Sequence, residues 1–492
     1  QALRLVDQAL EVAPGAPEAR LVKARLLVLL VDRFAADRDL LDEALDETDT
    51  VEKVCPGHRR LHSLRAIIHA KRGESAEAIR LLQEGLERDP TDPVSWNLLA
   101  VEFGIVGRAR DKVDSLRRIL GRDPRDWNAR INLGYTLRQL GEFDAAEEEY
   151  RQVVDGGASL DERLWAWDGL LWTALSRGDR EGAGRMRDAL LAEREEHWTL
   201  ESAAALAWFE GQCEDAAGLG RRARLKSSGA WVGALWTVYA ALGDPRCGGR
   251  GVAVGAASGL VTDAARWPPV GRLALGLLLN ELGPSAASDA LLHGLSHEQR
   301  PFASEAAAVR ACREGNAAAA LAQINRALGP EGTDAETRLR QRAWKIRILG
   351  ALGRTGEALT LAESCGDLVA APDWWMFPGQ PPRPEAWAAV LALGEPARAR
   401  RLAEVAVHRG PMDPEAWLAL GLAARVQGDG GAEAEARRRY GLLRPATEWM
   451  ESACGATAFE PLRRIAVEWT AESVIPGPRG VPGGTGPSAP GR

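Results

Sequence analysis

The sequence predicts an all-α fold, a solenoid of stacked antiparallel helix pairs, and three observations carry that prediction. Gly73, Gly107 and Gly141 stand 34 residues apart, Pro90 and Pro124 keep the same interval, and so do the small residues Ala66, Ala100 and Gly134. A fixed period of this length marks one two-helix unit copied and stacked, each copy burying its apolar face on the next. About 11–13 such units, some of them degenerate, fit the chain.

The unit from Pro93 to Asp126 shows how each copy is built. Apolar residues recur at helical spacing on both sides of Gly107, which supplies the turn, and Pro124 cannot continue the second helix. The next unit repeats this with Leu133-Gly134, Gly141, Ala146 and Tyr150, and the preceding one with Ala66, Gly73, Ala78 and Leu82. Small residues at Gly134 and Ala146 let helices approach closely, while Leu133, Leu137 and Tyr150 fill the space around them.

This order of residues resembles the tetratricopeptide repeat, a unit with a Trp, a Leu-Gly pair, an aromatic, a turn Gly, an Ala and a closing Pro. Trp96, Leu99, Ala100, Phe103, Gly107 and Pro124 match it in one copy. Trp417, Leu420, Gly421, Gly428 and Ala434 match it in another. Weaker copies are anchored at Gly178, Gly211, Gly315, Gly353 and Gly394. The resemblance implies a right-handed superhelix whose first helices line a concave groove.

On this reading residues 1–58 hold a truncated N-terminal repeat and a long helical hairpin, and 59–246 form a regular array. Residues 247–300, rich in Gly and Pro, form a degenerate repeat and a loop. A second array occupies 301–447 and contains a Pro/Trp-rich insertion at 371–384. Capping helices follow at 448–474 and a disordered Pro/Gly-rich tail at 475–492. The tail has Gly477, Gly480, Gly483 and Gly486 in every third place, too few triplets for collagen. The chain starts with what looks like the second helix of a repeat and without Met, so it reads as a fragment or processed product whose targeting segment would lie upstream.

With 46% hydrophobic residues in 492 the chain has ample apolar surface to bury, spread along a line. Its net charge of −7 argues against a general affinity for nucleic-acid phosphates, and "LLVLLV" is far too short to span a membrane. The six cysteines are dispersed without a CxxC pair and read as reduced, which favours a cytoplasmic location.

The search for chemistry assigns no catalytic residue, no cofactor and no metal. Cys55, His58, His62 and His69 could offer zinc ligands, but His62 and His69 fall where the repeat places core aromatics. His293 and His297 stand four apart without the Glu of a metalloprotease helix. No phosphate loop, GxSxG elbow or dinucleotide fingerprint is present.

A surface remains, and 17 Trp against 7 Phe and 4 Tyr make it distinctive. Helical spacing puts Asn128, Ile131, Tyr135 and Arg138 on one face of a first helix, then Trp165, Asp168 and Trp172, then Trp198, Glu201 and Trp208. These residues are expected to bind a peptide through aromatic anchors, with Arg138, Asp168 and Glu201 setting its polarity. The other expectation is that the Trp side chains fill gaps between imperfect repeats. Trp374, Trp375 and Phe377 in the insertion form a second candidate surface. The family's carboxylate clamp is disfavoured, because Asn97, Val101, Trp165 and Gly169 stand where it would need Lys, Asn or Arg.

The leading function is therefore a non-enzymatic scaffold or adaptor for a protein or peptide partner. The alternatives are the recruiting arm of a larger enzyme and an assembly component of a bacterial envelope or secretion system. Oligomeric state and partner identity are not legible.

Overall fold

The computed structural model describes residues 2–34, 39–58, 60–210, 212–227, 231–243, 249–282, 286–295, 300–328, 335–367, 383–411, 413–442 and 459–472. Among them all regular structure is helical. The chain opens with α1 (Ala2–Val12), α2 (Pro17–Phe34) and α3 (Leu40–Val54). Regular pairs follow: α4 (Leu61–Arg72) with α5 (Ser75–Arg88), α6 (Pro93–Val106) with α7 (Ala109–Leu120), and α8 (Trp127–Gln139) with α9 (Phe143–Asp155). Next come α10 (Leu160–Arg177) with α11 (Arg180–Glu193), and α12 (His197–Glu210) with α13 (Cys213–Lys226). The middle holds α14 (Trp231–Gly243), α15 (Gly249–Gly259), the short α16 (Val261–Ala264), α17 (Pro269–Leu282) and α18 (Ala286–Leu295). The last part is α19 (Arg300–Arg313) with α20 (Ala317–Ala327), α21 (Ala335–Ala351) with α22 (Thr355–Glu363), and α23 (Pro384–Leu391) with α24 (Pro396–Arg409). It ends with α25 (Pro414–Gln427), α26 (Gly430–Leu442) and α27 (Glu460–Glu472). Each helix packs on its sequence neighbours, and first helices of successive pairs also touch, as α8 does α10 and α12 does α14. The result is a stacked all-α solenoid.

The sequence signals act locally as expected. Gly73, Gly107 and Gly141 take φ of 83°, 83° and 79°, a left-handed turn that a side chain would strain. Asp92, Asp126 and Asp413 cap the helices that follow them, each carboxylate accepting backbone N–H bonds from the first turn. One register position serves a further purpose. Trp96 Nε1 donates to Pro90 O at 3.0 Å and Trp417 Nε1 to Pro411 O at 2.8 Å. Arg130 and Arg163 stand in the same place and donate to Pro124 O and Ala158 O at 2.8 and 3.0 Å. Indole and guanidinium thus both tie a first helix to the loop that enters it, and the arginines also pair with Glu149 and Glu193 on second helices.

Between units, glycine meets aromatic ring. The Tyr150 ring lies between α8 and α10, where a Cβ on Gly134 would approach it to 2.9 Å and a Cβ on Gly169 to 2.3 Å. At the far end Trp469 of α27, 1% exposed, lies against Gly421, whose Cβ would come within 2.1 Å of the indole. The pair Arg340 and Glu305, buried between α21 and α19, is bidentate at 2.7 and 3.0 Å.

Three features depart from the sequence reading or extend it. Residues 249–259 are helical despite their glycines, because Ala253 and Ala257 are fully buried while Gly251, Gly255 and Gly259 face open space. Cys213 and Cys312 each take part in a disulfide, so the expectation of uniformly reduced cysteines fails. Cys55 and Cys365 are free thiols. The solenoid also winds back beside itself: Arg338 of α21 donates to Ile105 O at the end of α6 at 2.8 Å. His408 stands over the Gly141 turn and Arg439 over the Gly178 turn.

Candidate functional site

The first helices α8, α10 and α12 carry the predicted surface, and the structure divides its residues into three groups. Asn128 is exposed at the start of α8, where its carbonyl and side-chain oxygens accept from the Asn132 amide at 3.0 and 2.9 Å. Ile131 is half-buried against the core between α8 and its neighbours. Tyr135, also half-buried, has the Arg138 guanidinium 5.4 Å from its ring centroid and the Lys112 ammonium 5.7 Å away. Arg138 itself is only 4% exposed, so it is a packing residue rather than an open contact.

The second group is the surface pair. Trp165 of α10 and Trp198 of α12 stack with centroids 4.3 Å apart and planes 8° from parallel, and Trp165 remains 51% exposed. Two large rings from adjacent units thus present one continuous platform. Asp168, one turn further along α10, is half-buried. Glu201, one turn beyond Trp198, accepts a bond from Gly233 N of α14 at 2.8 Å. No cation lies within ion-pair distance of Glu201 among the described residues, and burial pushes its carboxyl up to about 7, against the pull of that single backbone donor.

The third group corrects the sequence reading. Trp172 and Trp208 are 6% and 3% exposed and belong to the largest hydrophobic core. The Trp208 indole donates to Tyr239 O at 3.1 Å, and its ring meets those of Trp236 and Tyr239 at 6.0 and 6.1 Å. The physical reason is that α12 is apolar around most of its circumference, so no single stripe marks the solvent face. The gap-filling expectation holds for these two side chains. Trp374, Trp375 and Phe377 lie outside the described residues.

The sequence reading missed Lys112, because it considered first helices only and Lys112 belongs to a second helix, α7. Its stem packs beside Gly104, burial lowers its pKa, and no carboxylate lies within ion-pair distance among the described residues. The face therefore has an unneutralised cation beside α8 and an unneutralised carboxyl on α12. The histidines take other roles: His62 is buried against Gly85 and Arg88, and His69 pairs with Glu74 at 2.6 Å. His293 lines an open cleft of about 700 Å³ with Asp289, Arg310 and Glu314 between α18 and α20.

Residues flanking the insertion are firmly held. Arg409 donates to Cys365 O at 3.4 Å and to Glu385 at 2.9 Å, joining the chain before the insertion to the chain after it. The Cys365 thiol is fully buried and pushed up to about 12 by that burial, so it is not a nucleophile.

Comparison with known proteins adds the following. The sequence model of the tetratricopeptide repeat matches residues 38–93, 107–160 and 388–441. No curated protein matches the chain. Among solved structures, YrrB, a tetratricopeptide-repeat protein described as having an unusual peptide-binding site, is 18% identical with a TM-score of 0.32. That alignment covers 39% of this chain and 94% of YrrB. A tetratricopeptide-repeat protein from Parabacteroides merdae is 16% identical with a TM-score of 0.40, over 48% of this chain and 90% of the other.

Proposed function

We propose that this chain, a tetratricopeptide-repeat protein and so an interaction scaffold, works without catalysis by holding an extended segment of a protein partner along α8, α10 and α12. The observation that carries the reading is Trp165, half exposed and stacked on the partly buried Trp198. Burial of an aromatic ring is worth roughly 1.5–3 kcal/mol, so an indole left in water is a standing cost unless something covers it. Trp is also the side chain most enriched at binding hot spots, because it offers a large rigid surface with little entropy to lose. Tyr135 and Asn128 extend the same face toward α8, and a peptide laid along it would meet Lys112 at one end and Glu201 at the other.

The test is selection of random dodecapeptides displayed on phage against the full chain, run in parallel on the Trp165→Ala variant. The reading expects enriched peptides on the parent that fail on the variant, with both proteins unfolding at the same denaturant concentration. Equal enrichment on both would contradict it.

A further inference from the structure

The side of α19 turned toward the second helices α18 and α20 borders the open cleft of about 700 Å³. Ala307 and Ala311 of α19, Ala290 of α18 and Ala319 of α20 line it. Their one-carbon side chains leave between the helices the space that longer ones would fill. A volume of this size falls in the range of small-molecule sites. Asp289, His293 and Gln323 complete a polar rim.

Two opposite charges on α19 face this cleft without meeting. Arg310 and Glu314 stand one turn apart, yet among the described residues no carboxylate is within ion-pair distance of Arg310 and no cation within ion-pair distance of Glu314. Their order along the helix, cation before carboxylate, is the weaker one for such a pair. The Arg310 Nη1 lies 3.3 Å from Nδ1 of His293 on α18. A guanidinium can only donate, so the imidazole accepts, which steadies the Arg310 head and leaves its other N–H groups for a ligand.

We propose that the cleft binds a dipeptide with free termini and an apolar side chain. Its carboxylate pairs with Arg310, its ammonium with Glu314, and its side chain lies over the alanines. The helical rise sets the two positions about 6 Å apart along the axis, and two extended residues span about 7 Å. In a single amino acid both charges sit on one carbon, and they cannot reach both groups at once. The planar fork of Arg310 suits a carboxylate in bidentate pairing. None of these helices belongs to the Trp165 face, so this is a second binding activity that does not depend on the proposed peptide-binding role.

The probe is Ala-Leu, titrated into the full chain by isothermal calorimetry beside its N-acetyl amide, Gly-Gly and free Leu. Ala-Leu is expected to bind with a Kd of about 1 mM or tighter, and each comparison compound roughly ten-fold more weakly. Arg310→Gln and Glu314→Gln should each weaken Ala-Leu by about ten-fold while unfolding at the parent's denaturant concentration. Ala290→Leu, which fills the cleft from an exposed position, should abolish binding. Trp165→Ala should bind Ala-Leu as the parent does. Absence of saturable binding up to about 10 mM overturns the proposal. Equal binding of the N-acetyl amide or of free Leu also overturns it, as does parent affinity in both Gln variants. A loss in Trp165→Ala would put the dipeptide on the other face and overturn it too.

Discussion

Between α8 and α10 one aromatic ring, Tyr150, fills the gap opposite two glycines, whereas between α12 and α14 three rings, Trp208, Trp236 and Tyr239, share one buried space. Both regions bring backbones close. A Cβ on Gly220 would reach Gly233 O at 2.5 Å, as one on Gly169 would reach Tyr150 at 2.3 Å. They differ in how strictly the register fixes the aromatic. Where the 34-residue spacing is exact, the large residue opposite each small one follows from the period. Where the period loosens, surplus Trp volume goes inside, and the number of Trp residues no longer measures the binding surface. Trp165 stays half exposed because Trp198 of the adjacent unit stacks on one of its faces and is itself partly buried against the core.

The largest expected effect tests the buried cluster. Trp208→Ala leaves a cavity and removes the indole donor from Tyr239 O, and should cost about 3–5 kcal/mol in denaturant unfolding followed by circular dichroism. Removing one member of the Arg340–Glu305 pair belongs in the same range: Glu305→Ala takes the bidentate carboxylate away from a buried guanidinium at a cost of about 3–5 kcal/mol. Gly169→Ala comes next, because the added methyl must displace Tyr150 or α9, a loss of about 1–3 kcal/mol. Gly184 of α11, also helical but facing open space, sharpens the contrast: Gly184→Ala should gain about 0.5–1 kcal/mol.

A pH series probes Glu201. Its folded pKa lies above the unfolded value, so the native state binds more protons over the interval from the usual Glu range to about 7. The contribution of Glu201 to stability should therefore be greatest below that interval and be lost as pH rises through it. Glu201→Gln should flatten the curve and gain about 2 kcal/mol at pH 8, with little change at pH 4. A difference between parent and variant that stays constant across this interval would contradict the assignment.

Much of this was legible in the sequence for identifiable reasons. Glycine in a left-handed turn and a small residue opposite a large one are local rules, so Gly107 and Gly134 could be placed from spacing alone. Trp96 and Arg130 share one task that residue type conceals, since both are long side chains ending in an N–H donor. Trp208 was misplaced because an apolar helix gives no phase for its faces. Lys112 was overlooked because it reaches the face from a second helix. The return of α21 to α6 depends on how stacked units curve, and the spacing does not encode that curvature.

The most direct test sets Trp165→Ala beside Trp208→Ala and measures two quantities for each, the free energy of unfolding and the recovery of phage-selected dodecapeptides. The account predicts that Trp165→Ala unfolds within about 0.5 kcal/mol of the parent yet recovers no peptide, while Trp208→Ala loses several times that stability. If Trp165→Ala were destabilised as much as Trp208→Ala, or still captured the same peptides as the parent, the stacked pair would be part of the packing and the proposed binding face would be wrong.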